Sequence, residues 1–174
     1  MQHFKTLAEY CQAIRIPPSR NSQFDIRTFQ ENMPHVVAKM SPFKHEFYSI
    51  ALKKSGSGHA VTGAHQTAED QDILFFNSPY QVLSWSILPD WEGYYIMFTK
   101  SFLSKSTLFK SLLLEFPFLR MDKAVPFVID ANERQIVEQL FDNIYQEYHE
   151  NHTDQMRLLQ AQTYLLLNYV KRFV

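Results

Sequence analysis

The 174 residues of this chain suffice for one domain of about 100–200 residues with a packed core, and 45% of them are hydrophobic, including 15 phenylalanines. This aromatic content excludes a disordered chain and is typical of a packed interior or an apolar pocket. The 17 Lys and Arg side chains nearly balance the 18 Asp and Glu, and the formal charge of −1 gives no electrostatic signature of nucleic-acid binding.

Cysteine content and hydropathy predict a cytoplasmic protein that does not enter a membrane. Cys11 is the single cysteine, so the chain can form no internal disulfide and no multi-cysteine zinc site. No apolar run approaches the roughly 18 residues of a membrane span, and the N-terminal stretch is too polar for a signal peptide. Cys11 itself lies on the apolar face of a predicted helix, where we expect a small buried side chain and not a reactive thiol.

The first predicted element is a helix over residues 4–15. Its apolar residues share one face, and Thr6 with Glu9 forms a candidate capping box. Pro17 and Pro18 follow directly, and proline cannot continue a helix.

From about Gln23 to Ile129 the pattern changes to short β segments separated by turn residues. The segments read FDIRTF, VVAKM, EFYSIALKK, HAVTG, DILFF, QVLSWSI, GYYIMF and VPFVI. Many short strands at close spacing favour a β-sandwich or a small barrel. A short helix is predicted over residues 104–118, where leucines recur at helical spacing.

After Asp130 the apolar residues recur with the period of a helix. Asp130 and Glu133 form a second capping box, which predicts a helix over residues 131–149. Thr153 is a plausible N-cap for a last helix that runs from about Asp154 to the end. That helix is apolar on more than one face, so it either packs entirely on its own domain or offers one face to a partner.

Three stretches of the β region resemble the N-terminal effector-binding domain of AraC-type transcription regulators. They are PFKHEFYSIALKKSGSGHAV (42–61), DILFFNSPYQVLSW (72–85) and EGYYIMFTKSFL (92–103), and their order and spacing match the family. The resemblance implies a mainly β fold, a cupin-like double-stranded β-helix (jelly-roll barrel), followed by two antiparallel helices that pair two protomers. It divides the chain into a sensor barrel with a short N-terminal helix (1–129) and a helical dimerisation segment packed on the barrel (130–174).

The candidate dimerisation face follows from the spacing of three and four residues along the last helix. It consists of Leu159, Gln162, Leu166, Tyr169 and Phe173. A neighbouring row, Leu158 and Leu165, steps by seven. With the family as a guide, we expect a homodimer that forms through these C-terminal helices.

In such regulators a helix-turn-helix DNA-binding domain follows the sensor, and this sequence has no room for one. Residues 130–174 hold four Lys and Arg against seven Asp and Glu, a net charge of −3 that is unsuited to phosphate contacts. We therefore expect a sensing and dimerising half that reaches DNA only through a domain missing here.

The resemblance also predicts the effector site. Strand alternation places side chains two residues apart on the same face, and the family pattern turns one such face toward the barrel interior. The predicted ligand-binding residues are Phe43, His45, Phe47, Ser49, Gln81, Leu83 and Trp85. A mostly apolar set with few polar groups suits an unidentified small-molecule effector. The alternative is a filled core without a ligand, in which His45 is an ordinary core histidine.

We predict no metal site, no cofactor and no catalytic residues. Cupin enzymes hold a transition metal with about three protein ligands, but Phe43, Ser49 and Leu83 stand where histidines or a carboxylate would be needed. The sequence has no Ser-His-Asp order and no Cys-His pair. A metal-dependent cupin enzyme and a ligand-free dimerisation scaffold remain as alternative functions. Trp91 either caps the barrel mouth or packs on the surface.

Overall fold

Two β-sheets and a pair of C-terminal helices make up the chain in the computed structural model, which describes residues 1–109 and 111–174. The strands are β1 (Gln2–Phe4), β2 (Phe24–Thr28), β3 (Lys39–His45), β4 (Tyr48–Ser55), β5 (Gly58–Thr62), β6 (His65–Gln66), β7 (Ile73–Asn77), β8 (Leu83–Ile87), β9 (Glu92–Phe98) and β10 (Phe127–Val128). The helices are α1 (Leu7–Ile14), α2 (Phe29–Asn32), α3 (Lys100–Ser104), α4 (Leu112–Glu115), α5 (Ala131–Glu150) and α6 (Gln155–Phe173).

The strands of the described residues form two five-stranded sheets that pack face to face. The first sheet has the order β1-β3-β8-β5-β6 and the second has the order β10-β7-β4-β9-β2. β1 runs parallel to β3, and the other pairs are antiparallel. Leu83 of the first sheet and Met97 of the second share one buried cluster between the sheets. The prediction of a mainly β fold followed by C-terminal helices is confirmed.

The chain passes from the first sheet to the second at a bend formed by Glu46 and Phe47. The sequence pattern predicted a strand that begins at residue 46, but β3 ends at His45 and β4 begins at Tyr48. Alternation nevertheless continues through the bend, so that the side chains at 43, 45, 47 and 49 are all buried. One short stretch of sequence therefore contributes to both walls of the space between the sheets.

The second sheet is buried on both faces, because α5 and α6 cover the face that points away from the first sheet. Ile50 and Phe98 from that face share a core with Phe141 of α5 and Leu166 of α6. The hydroxyl of Tyr94 also donates a hydrogen bond to Asp142 Oδ1 of α5 at 3.0 Å. Burial on both faces explains why β7 reads as an almost continuous apolar run, ILFFN, in the sequence.

Capping patterns in the sequence predicted the start of α5 correctly and the start of α6 incorrectly. The capping box of Asp130 and Glu133 begins α5 as predicted, with Glu133 N donating to Asp130 Oδ1 at 2.8 Å. The predicted N-cap Thr153 is wrong, since α6 begins after Asp154 and has no side-chain cap hydrogen bond. The short connection at 151–154 folds α6 back onto α5, and the Gln155 amide donates to the carbonyl oxygen of Tyr148 at 2.8 Å.

The single helix predicted over 104–118 is also wrong. That region contains the end of α3, a 3-10 turn at Thr107–Phe109, then α4 and a second 3-10 turn at Pro117–Leu119. Pro117 has no amide hydrogen and cannot continue α4. Lys110, which the predicted helix also covered, lies outside the described residues.

A buried ion pair fixes the N-terminal segment to the edge of the second sheet. Arg27 Nε donates to Asp25 Oδ2 at 2.8 Å, and a second nitrogen of Arg27 donates to the carbonyl oxygen of Pro17 at 2.5 Å. Burial raises the pKa of the Asp25 carboxyl, although Arg27 favours its ionised form. Cys11 packs beside this pair, and burial raises the pKa of its thiol to about 11, as expected for an unreactive core cysteine.

The C-terminal core predicts different effects for two adjacent leucines. Leu166 is 0% exposed and Leu165 is 47% exposed. Leu166→Ala should lower the free energy of unfolding by about 2–5 kcal/mol because it opens a cavity, whereas Leu165→Ala should change it by about 0.5 kcal/mol or less. Urea unfolding of both variants at dilute protein concentration measures the difference. Equal losses would contradict the packing of α6 described here.

Candidate functional site

A cavity of about 100 Å³ lies between the two sheets. Its walls come from the inner faces of both sheets and from α1 and α2. Six of the seven predicted pocket residues line it: Phe43, His45, Phe47, Ser49, Leu83 and Trp85. The bend between β3 and β4 brings the first four together, and β8 supplies the last two.

The seventh predicted residue, Gln81, lies outside the cavity lining in the described structure. Its amide nitrogen donates to the carbonyl oxygens of Met121 and Ala124 at 3.0 and 3.1 Å, and its oxygen accepts from the amide of Ser78 at 2.7 Å. Through these hydrogen bonds, the Gln81 side chain links the β7–β8 connection to residues 121–124. Gln81 therefore stabilises the contact between two loops.

His45 is held inside the cavity wall by aromatic contacts. Its ring stacks on Phe47 with a centroid distance of 3.8 Å, and the edge of Tyr10 approaches at 5.6 Å. The residue is 2% exposed, and its Nδ1 is buried without a hydrogen-bond partner in the described structure. Desolvation lowers the pKa of His45 to about 3, partly opposed by the nearby backbone of Phe47 and His45 itself. The imidazole is therefore neutral near pH 7.

Polar side chains from both sheets form a short hydrogen-bonded chain at the cavity wall, with Thr62 on the first sheet and Asn77 and Ser49 on the second. Thr62 Oγ1 donates to Asn77 Oδ1, and Asn77 Nδ2 donates to Ser49 Oγ, each at 2.8 Å. Ser49 Oγ accepts this bond and keeps its own hydrogen available to donate. A hydroxyl donor is thus present beside the apolar walls.

Asn32 is the polar residue that the sequence analysis missed. The capping box of Thr28 and Glu31 begins α2 and places Asn32 against Tyr95 of β9, and the Asn32 amide donates a hydrogen bond to the Tyr95 hydroxyl. Asn32 Oδ1 is buried, and no described residue forms a hydrogen bond with it. The Thr28-x-x-Glu31 spacing in the sequence was the signal that could have predicted α2.

Both tryptophans of the chain line the cavity. Trp85 Nε1 donates to the carbonyl oxygen of Val37 at 2.9 Å, and Trp91 Nε1 donates to that of Ser57 at 2.8 Å. Trp91 is 2% exposed. It therefore does not pack on the surface, which was one of the two positions that the sequence analysis left open. Gly56 has φ +141, and a Cβ there would stand 2.5 Å from Trp91 Cδ1, so this turn needs glycine.

Metal ligands are sparse at the cavity. Among the lining residues that the structure describes, His45 is the only Cys, His, Asp or Glu side chain. Elsewhere, ligand atoms of Glu147, Glu150 and His152 lie within 4.8 Å of one another near the end of α5. His152 Nε2 already contacts Glu150 Oε2 at 3.1 Å, and exposed acidic groups of this kind are common without an ion.

The predicted dimerisation residues divide between the core and the half-buried flank of α6. Leu159 and Leu166 are buried against their own chain, in contact with the core of the second sheet and α5. Gln162, Tyr169 and Phe173 are half-buried. The adjacent row of α6 is exposed instead, with Leu158 and Leu165 on either side of the small residue Ala161.

The described residues thus define a two-sheet β domain with an internal, mostly apolar cavity and a helix pair on the second sheet. No described helix combines the length and the hydropathy that crossing a membrane requires.

No protein-family model and no curated protein matches the sequence. Among solved structures, ToxT from Vibrio cholerae, an AraC-family regulator, is similar with 14% identity and a TM-score of 0.39. The match covers 87% of this chain, which spans 58% of the length of that ToxT chain. A TM-score of this size is too low to support inferences about function.

Burial of neutral His45 makes the stability of the domain depend on pH. The folded state keeps His45 unprotonated down to about pH 3, whereas the unfolded state takes up a proton near pH 6.5. The free energy of unfolding should therefore fall as the pH drops below 6.5, by at most about 1.4 kcal/mol per pH unit from this residue.

Chemical unfolding of His45→Leu across this pH range measures that contribution, because the variant should lose less stability on acidification than the wild type. His65→Leu, at an exposed position, is the matched control. An unchanged pH slope in His45→Leu would show that position 45 is not a buried neutral imidazole.

Proposed function

We propose that this chain is the effector-sensing and dimerisation domain of an AraC-type transcription regulator, which binds a small molecule in the cavity to control an attached DNA-binding domain. One feature of the fold supports the proposal. The three stretches that resemble the family fall on β3, β4, β5, β7, β8 and β9, and these same strands supply most of the cavity wall.

The observation that carries the binding role is a pair of unpartnered polar atoms. Asn32 Oδ1 and His45 Nδ1 are buried at an otherwise mostly apolar cavity and have no hydrogen-bond partner of good geometry in the described structure. Only weak backbone contacts of Phe47 and of His45 itself reach the imidazole. Such unpartnered atoms are rare in folded proteins and each costs about 1–3 kcal/mol. A core filled only by side chains gains nothing from them, whereas a bound molecule can pair with both.

The second sheet contacts the cavity with one face and the two C-terminal helices with the other. In β4, Ser49 and Ala51 line the cavity, while Ile50 and Leu52 pack into the core shared with α5 and α6. A ligand that shifts this sheet shifts the surface on which the helix pair rests. Such coupling requires that the ligand bind one of two states of the domain more tightly than the other.

The two tryptophans make ligand binding directly observable. We expect at least one compound of a broad metabolite screen to raise the melting temperature and to change the tryptophan emission, because Trp85 and Trp91 line the cavity. His45→Leu should abolish or reorder the set of binding compounds, and His65→Leu should leave it unchanged. A screen without a single hit would favour the ligand-free scaffold and overturn the sensing role.

For the dimerisation role, the exposed row of α6 is the surface we propose for a second copy of this chain. Leu158 and Leu165 are seven residues apart, flank Ala161, and are exposed on a helix whose opposite side is buried in the core. Leucines at this spacing pair two helices in coiled coils. The buried Leu159 and Leu166 instead stabilise the protomer.

Substitution of this row separates pairing from folding. Leu165→Glu should convert a dimer into a folded monomer, whereas Leu166→Glu should unfold the domain because it buries a charge. Gln146→Glu, at an exposed position of α5, adds the same charge and should leave the dimer intact. Light scattering measures the oligomeric state, and circular dichroism shows whether the variant is folded. A wild-type monomer at high concentration would contradict the pairing role.

A further inference from the structure

Aromatic side chains from both sheets and from two helices line the cavity. Phe43 and Trp85 come from the first sheet, Phe75 and Tyr95 from the second, Tyr10 from α1 and Phe29 from α2. Rings that surround a cavity favour a flat aromatic guest, which can stack on some of them and meet the edges of others. The volume of about 100 Å³ is of the order of cavities that take one aromatic ring.

No charged side chain lines this cavity among the residues that the structure describes. Arg27 is already hydrogen-bonded to Asp25. The buried Lys53 ammonium lies 4.8 Å from the ring of Trp91, but it already donates to two backbone carbonyl oxygens. A carboxylate or ammonium group placed between the sheets would therefore be desolvated without a counter-charge, which is strongly unfavourable. The lining thus selects an uncharged molecule.

The unpartnered Oδ1 of Asn32 determines which hydrogen-bonding group a bound molecule needs. Asn32 is 2% exposed, and its side-chain nitrogen donates one hydrogen bond to the Tyr95 hydroxyl. The remaining Oδ1 is an acceptor and pairs only with a donor. Burial raises the pKa of Tyr95 well above its ordinary value, so its hydroxyl stays protonated at neutral pH and places no negative charge at the cavity wall.

On the assumption that the proposed sensing function is correct, we propose that the effector is an uncharged molecule with one aromatic ring and an O–H or N–H group that donates to Asn32 Oδ1. His45 supplies the second polar contact. Its neutral imidazole has one ring nitrogen that donates and one that accepts, so the unpartnered Nδ1 can pair with a further polar group of the guest.

Four small probes separate the parts of this proposal: phenol, anisole, toluene and benzoate. Phenol carries the donor, anisole keeps the ring and oxygen but has no donor, toluene has the ring alone, and benzoate is charged. Binding to the intact chain is measured through tryptophan emission, excited where phenol does not absorb, and confirmed by calorimetry. We expect phenol to bind about tenfold or more tightly than anisole and toluene, and benzoate not to bind.

Asn32→Leu removes the acceptor and should reduce the preference for phenol over anisole to about twofold or less. Asn143→Leu, at an exposed position of α5, is the matched control and should keep the full preference. If Asn32→Leu does not fold, the ratio of phenol to anisole in the wild type still decides the question.

The outcomes distinguish this inference from the proposed function. Equal binding of phenol and anisole, or tightest binding of benzoate, overturns the donor or the uncharged guest but leaves a functional cavity. Binding of only non-aromatic compounds from the metabolite screen overturns the aromatic class alone. If neither the probes nor any screened compound binds, both the inference and the sensing role fail.

Discussion

Burial of the second sheet on both faces is the constraint on which the rest of the structure depends. Its strands must place one set of side chains toward the helices and the alternate set toward the first sheet. The helix side is filled by leucine, isoleucine and phenylalanine side chains. The inner side mixes large rings with Ser49, Asn77 and Tyr95, and this mixture leaves a cavity where the opposite face has a solid core. Sensing and helix presentation therefore share the same strands.

The elements with the strongest local patterns were predictable from the sequence. Helix α5 has a capping box and a long amphipathic repeat, and the larger strands have β-branched and aromatic runs, so local preference and tertiary packing agree. The three-residue strand β1 and the two-residue strand β6 are too short to give a pattern. They form because longer neighbours offer them free hydrogen-bonding edges.

The candidate site was predictable only in part. Alternation and the family resemblance together predicted six lining residues, because five of these lie on strands with a fixed period and the alternation continues through the bend at Phe47. Gln81 lies at the end of a turn, where no period determines its direction, and loop carbonyl oxygens bind its amide. Asn32 and Tyr10 come from short helices packed at the cavity, and sequence spacing cannot show which cavity a helix will approach. The last helix shows the same limit, since it is apolar on two faces and only the packing decides which face is buried.

The most direct test of the account is an experimental electron-density map of the space between the sheets at high resolution. We predict an ordered guest, either a small molecule or water, within hydrogen-bond distance of Asn32 Oδ1 and His45 Nδ1, with both tryptophan rings at the wall. A collapsed interior in which Tyr10 and Phe47 fill the space, with both polar atoms paired to protein groups, would contradict the account.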